Sequence, residues 1–560
     1  MSQEFSRRSF LQGTGVVAAG LAAAGLTACA PSAPAADKKE ELSATGSDTS
    51  TSARWSWEVA PEPIADDQIA EVVETDFLVI GAGIAGVSTA CSLAENGGKV
   101  TVIEKCDTFS CRGGHYGSVN SSFWKSLGVE HDPADIARSW VAQCNSRGNE
   151  RLMWTFLNRS GEAMDWAVEK CERNGAIPLP IDAVYKGPTY EEFLGTILFV
   201  PGDNAFEGAN PGNIPCTSIY NDAVAAGVQF VFNTRAEQLV KDGDRVVGVV
   251  ASTDDGYKKY VGAKAVILAT GDISGDDEMC EAYSPLMIRC EQTQYVPLGA
   301  NTGDGQKMGM WIGAKMEDTP LAPMIHPQAY VRISHYFLSV SSRGERYMNE
   351  DVWAQGKALG ALTAPGNSDH AYSIFDSTWL DNMADTIEIG GGMFWQGSGS
   401  TYQSEYNPEN DQKFLDEGLE SGMVKQGNTV EELADAIAAD EPEFDKQAFI
   451  DEFNRYNQLC RDGKDVDFGK RSELLFELAT PPFYAAKFGG CRMVAPGGLL
   501  INTKSQVLDT NDYPIEGLYA VGNVSGGLYA VDYPLVVPGN SHGRAVTFGW
   551  LLGRQLTGVE

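Results

Sequence analysis

Two hydrophobic patterns alternate along the chain: short apolar runs without polar interruption, and longer stretches whose apolar residues recur every three or four positions. Asp76-Phe77-Leu78-Val79-Ile80 is of the first kind. A strand apolar on both faces belongs inside a parallel sheet, so this run predicts an interior strand. An amphipathic helix follows to about residue 95, and the apolar run at 99–103 predicts a neighbouring strand. The pattern returns at 263–269 and at 517–521. Thr429-Val430-Glu431-Glu432 is a capping box that opens a helix. Residues 445–459 then place Phe449, Ile450, Phe453 and Tyr456 on one side of another, where they read as core and not as a binding stripe. Strand, helix and strand in alternation define an α/β fold. No internal repeat is visible.

The N-terminus is patterned differently. Ser6-Arg7-Arg8-Ser9-Phe10-Leu11 precedes an Ala/Gly-rich apolar segment at 13–28, too short and too small-sided for a membrane helix. Residues 1–29 read as a twin-arginine (Tat-type) export signal. Leu26-Thr27-Ala28-Cys29 resembles a lipobox, which would leave Cys29 lipidated and the protein anchored at the cell surface. Cleavage near Ala33-Pro34-Ala35 is the alternative. Residues 30–70 are rich in Ser, Thr, Ala and charge, and read as a disordered tether. Beyond the signal no apolar run is long enough to span a bilayer.

Composition narrows the function. With 43% hydrophobic residues the chain is globular, and 42 Lys+Arg against 76 Asp+Glu leave a net charge of -34. Such a field repels phosphate backbones and excludes nucleic acid as a partner. The eleven cysteines form no CxxC pair and no CxxCH. Zinc ribbons and c-type haem are therefore not indicated, and no metal site is assigned. Cys106 with Cys111, and Cys280 with Cys290, lack a standard iron–sulfur spacing, so inert buried thiols are the default and an iron–sulfur cluster the alternative.

The strand at 76–80 runs into Gly81-Ala82-Gly83-Ile84-Ala85-Gly86, and the strand at 99–103 ends at Glu104, 23 residues after Gly81. This order meets the physical needs of a dinucleotide. Gly81 allows the tight turn, Gly83 lets the backbone approach a pyrophosphate, and Gly86 lets the helix pack closely on the strand. The helix N-terminus favours negative charge, and Glu104 is placed to accept from a ribose hydroxyl, which disfavours a 2′-phosphate. Further small-residue turns follow strands: Arg112-Gly113-Gly114-His115, Ala269-Thr270-Gly271-Asp272, Gly522-Asn523 and Gly539-Asn540-Ser541.

Together with Asn301-Thr302-Gly303-Asp304-Gly305, His326-Pro327, the Gly344 to Glu350 motif and Phe468-Gly469-Lys470, these segments resemble one family. It is the FAD-binding fumarate reductase and succinate dehydrogenase flavoprotein superfamily, which includes 3-ketosteroid dehydrogenases and urocanate reductase. The signal, Trp55-Ser56-Trp57-Glu58 and Asn349-Glu350-Asp351 are most similar to exported flavin reductases of gut actinobacteria, the group that contains the cardiac glycoside reductase. The resemblance implies a Rossmann-like FAD domain at 71–323 and 485–560 with an inserted α+β capping domain at 324–484. It implies non-covalent FAD held by Gly81, Gly83, Ala85, Gly86, Glu104, Lys105, Gly113, Gly114, Ala236, Ala269, Thr270, Gly271, Asp304, Gly522, Asn523, Asn540 and Ser541. Asp304 reads as ordering a loop beside the flavin.

The chemistry implied is hydride transfer between flavin N5 and one carbon of a carbonyl-activated C–C bond, with a side chain handling the proton at the other carbon. Fumarate reductases clamp two carboxylates with arginines and histidines and use an arginine of the cap as acid. His326 matches one clamp position. The acid position falls on Ala354, the second histidine on Val494, and the carboxylate-binding arginine on Tyr533. A bidentate guanidinium clamp cannot be replaced by such residues, so fumarate and succinate are poor substrates. Tyr529, Tyr533 to Val537 and the 481–484 segment resemble ketosteroid dehydrogenases, yet the tyrosine base of those enzymes also falls on Ala354. The pocket suits a small neutral or aryl unsaturated carbonyl: an enone, an unsaturated lactone or an aryl acrylate. The candidate catalytic residues are Tyr533, His326, Arg332 and Arg492, with Tyr330 as another possible proton donor. For His326 the alternative is a bond to cap backbone, and for the two arginines an ion pair. Electrons would come from an external donor, a multihaem cytochrome or a quinol-linked protein, as in anaerobic respiration. The rival readings are an oxidative ketosteroid-type dehydrogenase and a flavin-bearing carrier or binding lipoprotein without turnover.

Overall fold

In a computed structural model the run at 76–80 is the inner end of β1 (Ile69–Ile80), where Phe77, Leu78, Val79 and Ile80 are buried. The structure describes residues 54–560 apart from 112, 203–205, 207–212, 291, 294–298, 319, 334–335, 367 and 391–407. The export signal, Cys29, the first part of the tether and Arg112 therefore lie outside the described residues. From Arg54 to Glu560 the chain forms one compact unit.

β1 leads through the glycine turn into α1 (Ile84–Glu95), and the chain returns in β2 (Val100–Ile103), parallel to β1 with Phe77 opposite Val100. β3 (Gly256–Leu268) lies on the other side of β1, and the Pro514–Ala520 strand adds parallel to β3. With Gln229–Val231 beside β2 these make the parallel core of an eight-stranded sheet. Apolar residues dominate the inner strands because both faces are covered, the relation the continuous runs predicted.

The second layer is a six-stranded sheet built on β5 (Phe483–Val494), which pairs antiparallel with β4 (Met324–Tyr330) and with His370–Phe375. The boundary expected at 485 cuts through β5. One uninterrupted strand carries the sheet to Val494, with most of its residues buried and partners along both edges. The helix Lys446–Asp462 closes this layer, with Phe449, Phe453 and Tyr456 buried beside Leu338, Ile374 and Leu433. Thr429 caps the preceding helix as expected: its side chain accepts from Glu432 N at 3.2 Å, while Glu432 accepts from Asn428 N at 2.8 Å.

The tether expected up to residue 70 is folded from Arg54 onward. Trp57 is buried against Tyr283, and its carbonyl accepts from Trp311 Nε1 at 2.8 Å. Composition misleads here because two tryptophans outweigh the polar residues around them.

Candidate active site

The parallel strands end together at Ile80, Ile103 and Leu268, and a cavity of about 950 Å³ opens beyond their carboxyl ends. That is where ligands bind in open α/β sheets. At Gly81, φ is +107°, and an added Cβ would come within 2.5 Å of Ala269 O. Gly86 lies so close to that turn that a Cβ on it would stand 1.9 Å from Gly81 O. It packs α1 against the turn and does not itself line the cavity. Gly83 does, with its nearest neighbour, Ser110 O, 3.6 Å from an added Cβ. Glu104 sits at the end of β2, where one carboxylate oxygen accepts from Ala82 N at 2.7 Å and the other from Cys106 N at 2.9 Å. Glu104 lines the cavity, and each oxygen keeps a further lone pair with which a ribose hydroxyl could bond.

The remaining cradle closes around this core. Lys105 Nζ donates to Asp304 and to Thr302 Oγ1, each at 2.9 Å, which ties Thr302 and Asp304 to the end of β2. The Asp304 carboxyl is held below the usual range: Lys105 and Arg235 outweigh a burial that acts upward. Ala85, Gly113, Gly114, Ala236, Ala269, Thr270, Gly271, Gly522, Asn523 and Ser541 also line the cavity. Asn540 does not. Its Nδ2 donates to Pro534 O at 2.6 Å and Val537 O at 3.0 Å, which braces the turn carrying Tyr533 and Leu535.

Beyond the cradle the wall changes character. β4 presents Met324, His326 and Gln328 on one face by strand alternation, and Arg332 follows. Met493, Val494, Tyr533 and Leu535 complete this end. His326 is buried, its imidazole pushed down to about 3 by desolvation and by His115, and Trp353 meets it edge-on at 5.9 Å. Tyr533 is buried too. Its phenolic oxygen accepts from Ser541 N at 2.9 Å, in the first turn of the C-terminal helix Asn540–Leu556.

Arg492 is not at the site. Its Nη1 donates to Asp277 at 2.6 Å and to Ser274 O at 3.2 Å, and its Nε to Met287 O at 3.1 Å. These partners hold it outside the cavity, although Met493 and Val494, the next two residues of β5, line it. Tyr330, at φ +71°, points away from the cavity and packs under Lys487 Nζ at 5.0 Å. Tyr529 stacks on Trp140, and Tyr484 on Phe375, both as packing. Ala354 is buried at the start of the Ala354–Thr363 helix, one residue after Trp353.

Two cavity histidines were not among the expected site residues. His115 follows the Gly113-Gly114 turn, its imidazole pushed down to about 4 by burial and by His542. His542 Nδ1 lies 2.8 Å from His115 O, and a carbonyl only accepts, so Nδ1 carries the proton. Position in the glycine turns and next to Ser541 was the available signal. Among the described residues no three Cys, His, Asp or Glu side chains gather to hold a metal, and none of the ten described cysteines is in a disulfide.

Residues 76–536 match the family model for the FAD binding domain, and residues 4–25 match the twin-arginine translocation signal. The chain belongs to the FAD-binding flavoprotein family that includes fumarate reductases and 3-oxosteroid dehydrogenases. It is an FAD-dependent oxidoreductase acting on C=C bonds, exported by the twin-arginine route. A vinyl phenol reductase of Lactiplantibacillus plantarum is 25% identical over 513 residues, covering 86% of this chain and 95% of that protein. A 3-oxosteroid 1-dehydrogenase of Mycolicibacterium smegmatis is 29% identical over 578 residues, covering 85% and 96%. Among solved structures, a 3-ketosteroid Δ4-(5α)-dehydrogenase of Rhodococcus jostii RHA1 superposes with a TM-score of 0.66 at 21% identity, covering 88% of this chain and 99% of that one. The cradle fits the cofactor: glycines where a Cβ would collide, a helix N-terminus at the turn, and an acid at the end of β2. No helix among the described residues is long and apolar enough to cross a membrane.

Proposed function

We propose that this enzyme is an exported respiratory reductase that saturates the C=C bond of a small neutral or aryl unsaturated carbonyl compound. The observation that carries this reading is the far wall of the cavity. Met324, Met493, Val494 and Leu535 supply apolar surface, and Tyr533 and Val494 stand where the resemblance expects a carboxylate-binding arginine and histidine. A dicarboxylate would leave charge unpaired on such a wall, at a cost of several kcal/mol.

FAD, held by the glycine turns and Glu104, would supply the hydride. The chain's own residues then have two tasks, to hold the activating carbonyl and to deliver one proton to the carbon that does not receive hydride. His326 stays neutral at physiological pH because burial disfavours its charged form, so it acts as a hydrogen-bonding group and not as an imidazolium acid. Tyr533 is assigned the proton. The Ser541 N–H bonded to its oxygen, with the helix N-terminus behind it, stabilises the negative charge that develops as the phenol lets its proton go. The two electrons come from an external donor protein, such as a multihaem cytochrome or a quinol-linked carrier. Residues 324–484 are assigned to the cap over the substrate, and Cys29 to the membrane anchor.

Oxidation of reduced viologen by the anaerobic holoenzyme tests the reading, with fumarate, cinnamates, enone steroids and an unsaturated lactone as acceptors. Turnover with a neutral or aryl acceptor and little with fumarate is expected. Fast fumarate turnover would overturn it. The 29% identity to a steroid dehydrogenase favours the oxidative direction as the second reading. That reading requires reduction of an artificial oxidant by a saturated ketone.

A further inference from the structure

Among the described residues the cavity wall carries two basic side chains of the Lys and Arg type, and they are not equivalent. Lys105 is neutralised by Asp304 at 2.9 Å. Arg332 forms no salt bridge among the described residues, and its guanidinium instead lies 5.5 Å over the ring of Phe414. Most arginines of this acidic chain are paired with a carboxylate, Arg492 among them. The acids that line the cavity, Glu104, Asp272 and Asp304, all have partners within the FAD cradle. At the substrate end no carboxylate lines the wall among the described residues, and His326 is neutral.

From this arrangement we infer that Arg332 anchors the single carboxylate of an aryl acrylate, while Met324, Met493, Val494 and Leu535 cover the ring. The inference rests on the C=C reductase reading and narrows its substrate class. The stoichiometry follows from the charges. One guanidinium satisfies one carboxylate through two parallel N–H···O bonds. A second carboxylate would face Val494 and Tyr533 without a cation, so a monoacid is favoured over a diacid. A neutral enone or ester leaves the guanidinium unpaired and forgoes that bond. The chain's charge of -34 repels anions generally, so attraction of an anionic substrate has to be local.

Two readouts on the holoenzyme separate this inference from the reading beneath it. In viologen oxidation with cinnamate, methyl cinnamate and fumarate, the wild type is expected to favour cinnamate. Arg332→Gln should lower the cinnamate-to-ester ratio of kcat/KM by about 10- to 100-fold, mainly through KM for the acid, the usual worth of a charge-assisted pair. Arg332→Lys, which keeps the charge and loses the bidentate geometry, should recover part of it. Separately, 3-phenylpropionate is titrated into the oxidised holoenzyme and followed by the flavin absorbance difference. Its Kd should rise by a similar factor in Arg332→Gln, with flavin content unchanged.

If acid and ester lose equally, if the wild type prefers the ester, or if 3-phenylpropionate does not bind, the anchor is overturned, whether or not turnover is seen. If 3-phenylpropionate binds in an Arg332-dependent way and no acceptor oxidises viologen, the anchor stands and the reductase reading fails.

Discussion

Tyr533 combines three properties of a proton donor: a place on the cavity wall, burial, and an amide N–H bonded to its oxygen. Tyr533→Phe removes the proton and leaves the ring, so kcat should fall by about 100-fold or more with FAD content unchanged. Flavin absorbance and steady-state turnover on one preparation check both parts. His326 makes the opposite prediction. An imidazole at about 3 has no proton to gain near neutrality, so the rate profile should show no limb near pH 6.5 that His326→Gln removes. It does affect stability. Its folded-state value lies below the ordinary 6.5, so the unfolded chain takes up the proton first, and stability is lost as pH falls from about 6.5 towards 3. By pH 4.5 that loss is about 2–3 kcal/mol for a fully buried group. His326→Gln should therefore shrink the fall in Tm between pH 7 and pH 4.5. Glu317 has the opposite sign: burial raises its carboxyl to about 8, so its contribution is lost as pH rises through that range.

At the scale of elements, the two cap motifs behind the family resemblance meet in one buried knot. Arg346 donates to both oxygens of Glu350, at 2.9 and 2.8 Å, and to Asp465 at 2.9 Å, and all three side chains are fully buried. Lys470 lies 3.5 Å from Glu350, and Phe468 lies under the Arg346 guanidinium at 4.9 Å. Removing one partner of such a pair strands the other charge away from water. Arg346→Met should cost about 3–5 kcal/mol in chemical unfolding, with Gly81-to-Glu104 cofactor contacts untouched. The knot was invisible as a contact because its halves are more than 100 residues apart in the chain. The dinucleotide turn was legible for the converse reason: strand, glycines, helix and Glu104 are local, and each is forced by backbone geometry. The boundary at 485 that the resemblance implies falls inside β5 for the same reason as the knot: the strand's partners at 324–330 and 370–375 are distant in sequence. Arg492 shows the same limit at the site. Met493 and Val494, the next two residues, reach the cavity, while Arg492 is held outside it by Asp277, Ser274 and Met287, which lie about 200 residues away in sequence.

Across the whole molecule, thiols and export route fit together. Ten cysteines are described and none is in a disulfide; eight are buried, with Cys106 and Cys460 partly exposed. Burial raises the thiols of Cys106 and Cys460 to about 11, and Cys144, Cys280, Cys290 and Cys491 to about 12, so thiolate is scarce at every one of these positions. A chain threaded unfolded into an oxidising compartment would expose these thiols to random pairing. The twin-arginine signal at residues 4–25 belongs to a route that carries folded proteins, and folding around FAD in the reducing cytoplasm shields the thiols before export. A thiol-reactive chromogenic disulfide measures this directly. The native holoenzyme without its signal should react at Cys106 and Cys460 at most, slowly, and at all ten described positions once denatured. Rapid native labelling of more than two thiols would mean that the core opens on the time scale of the assay, and the shielding argument would fail with it. Removing FAD by dialysis should speed labelling of Cys106 and Cys111 first, because these two line the cofactor cavity and the other eight do not.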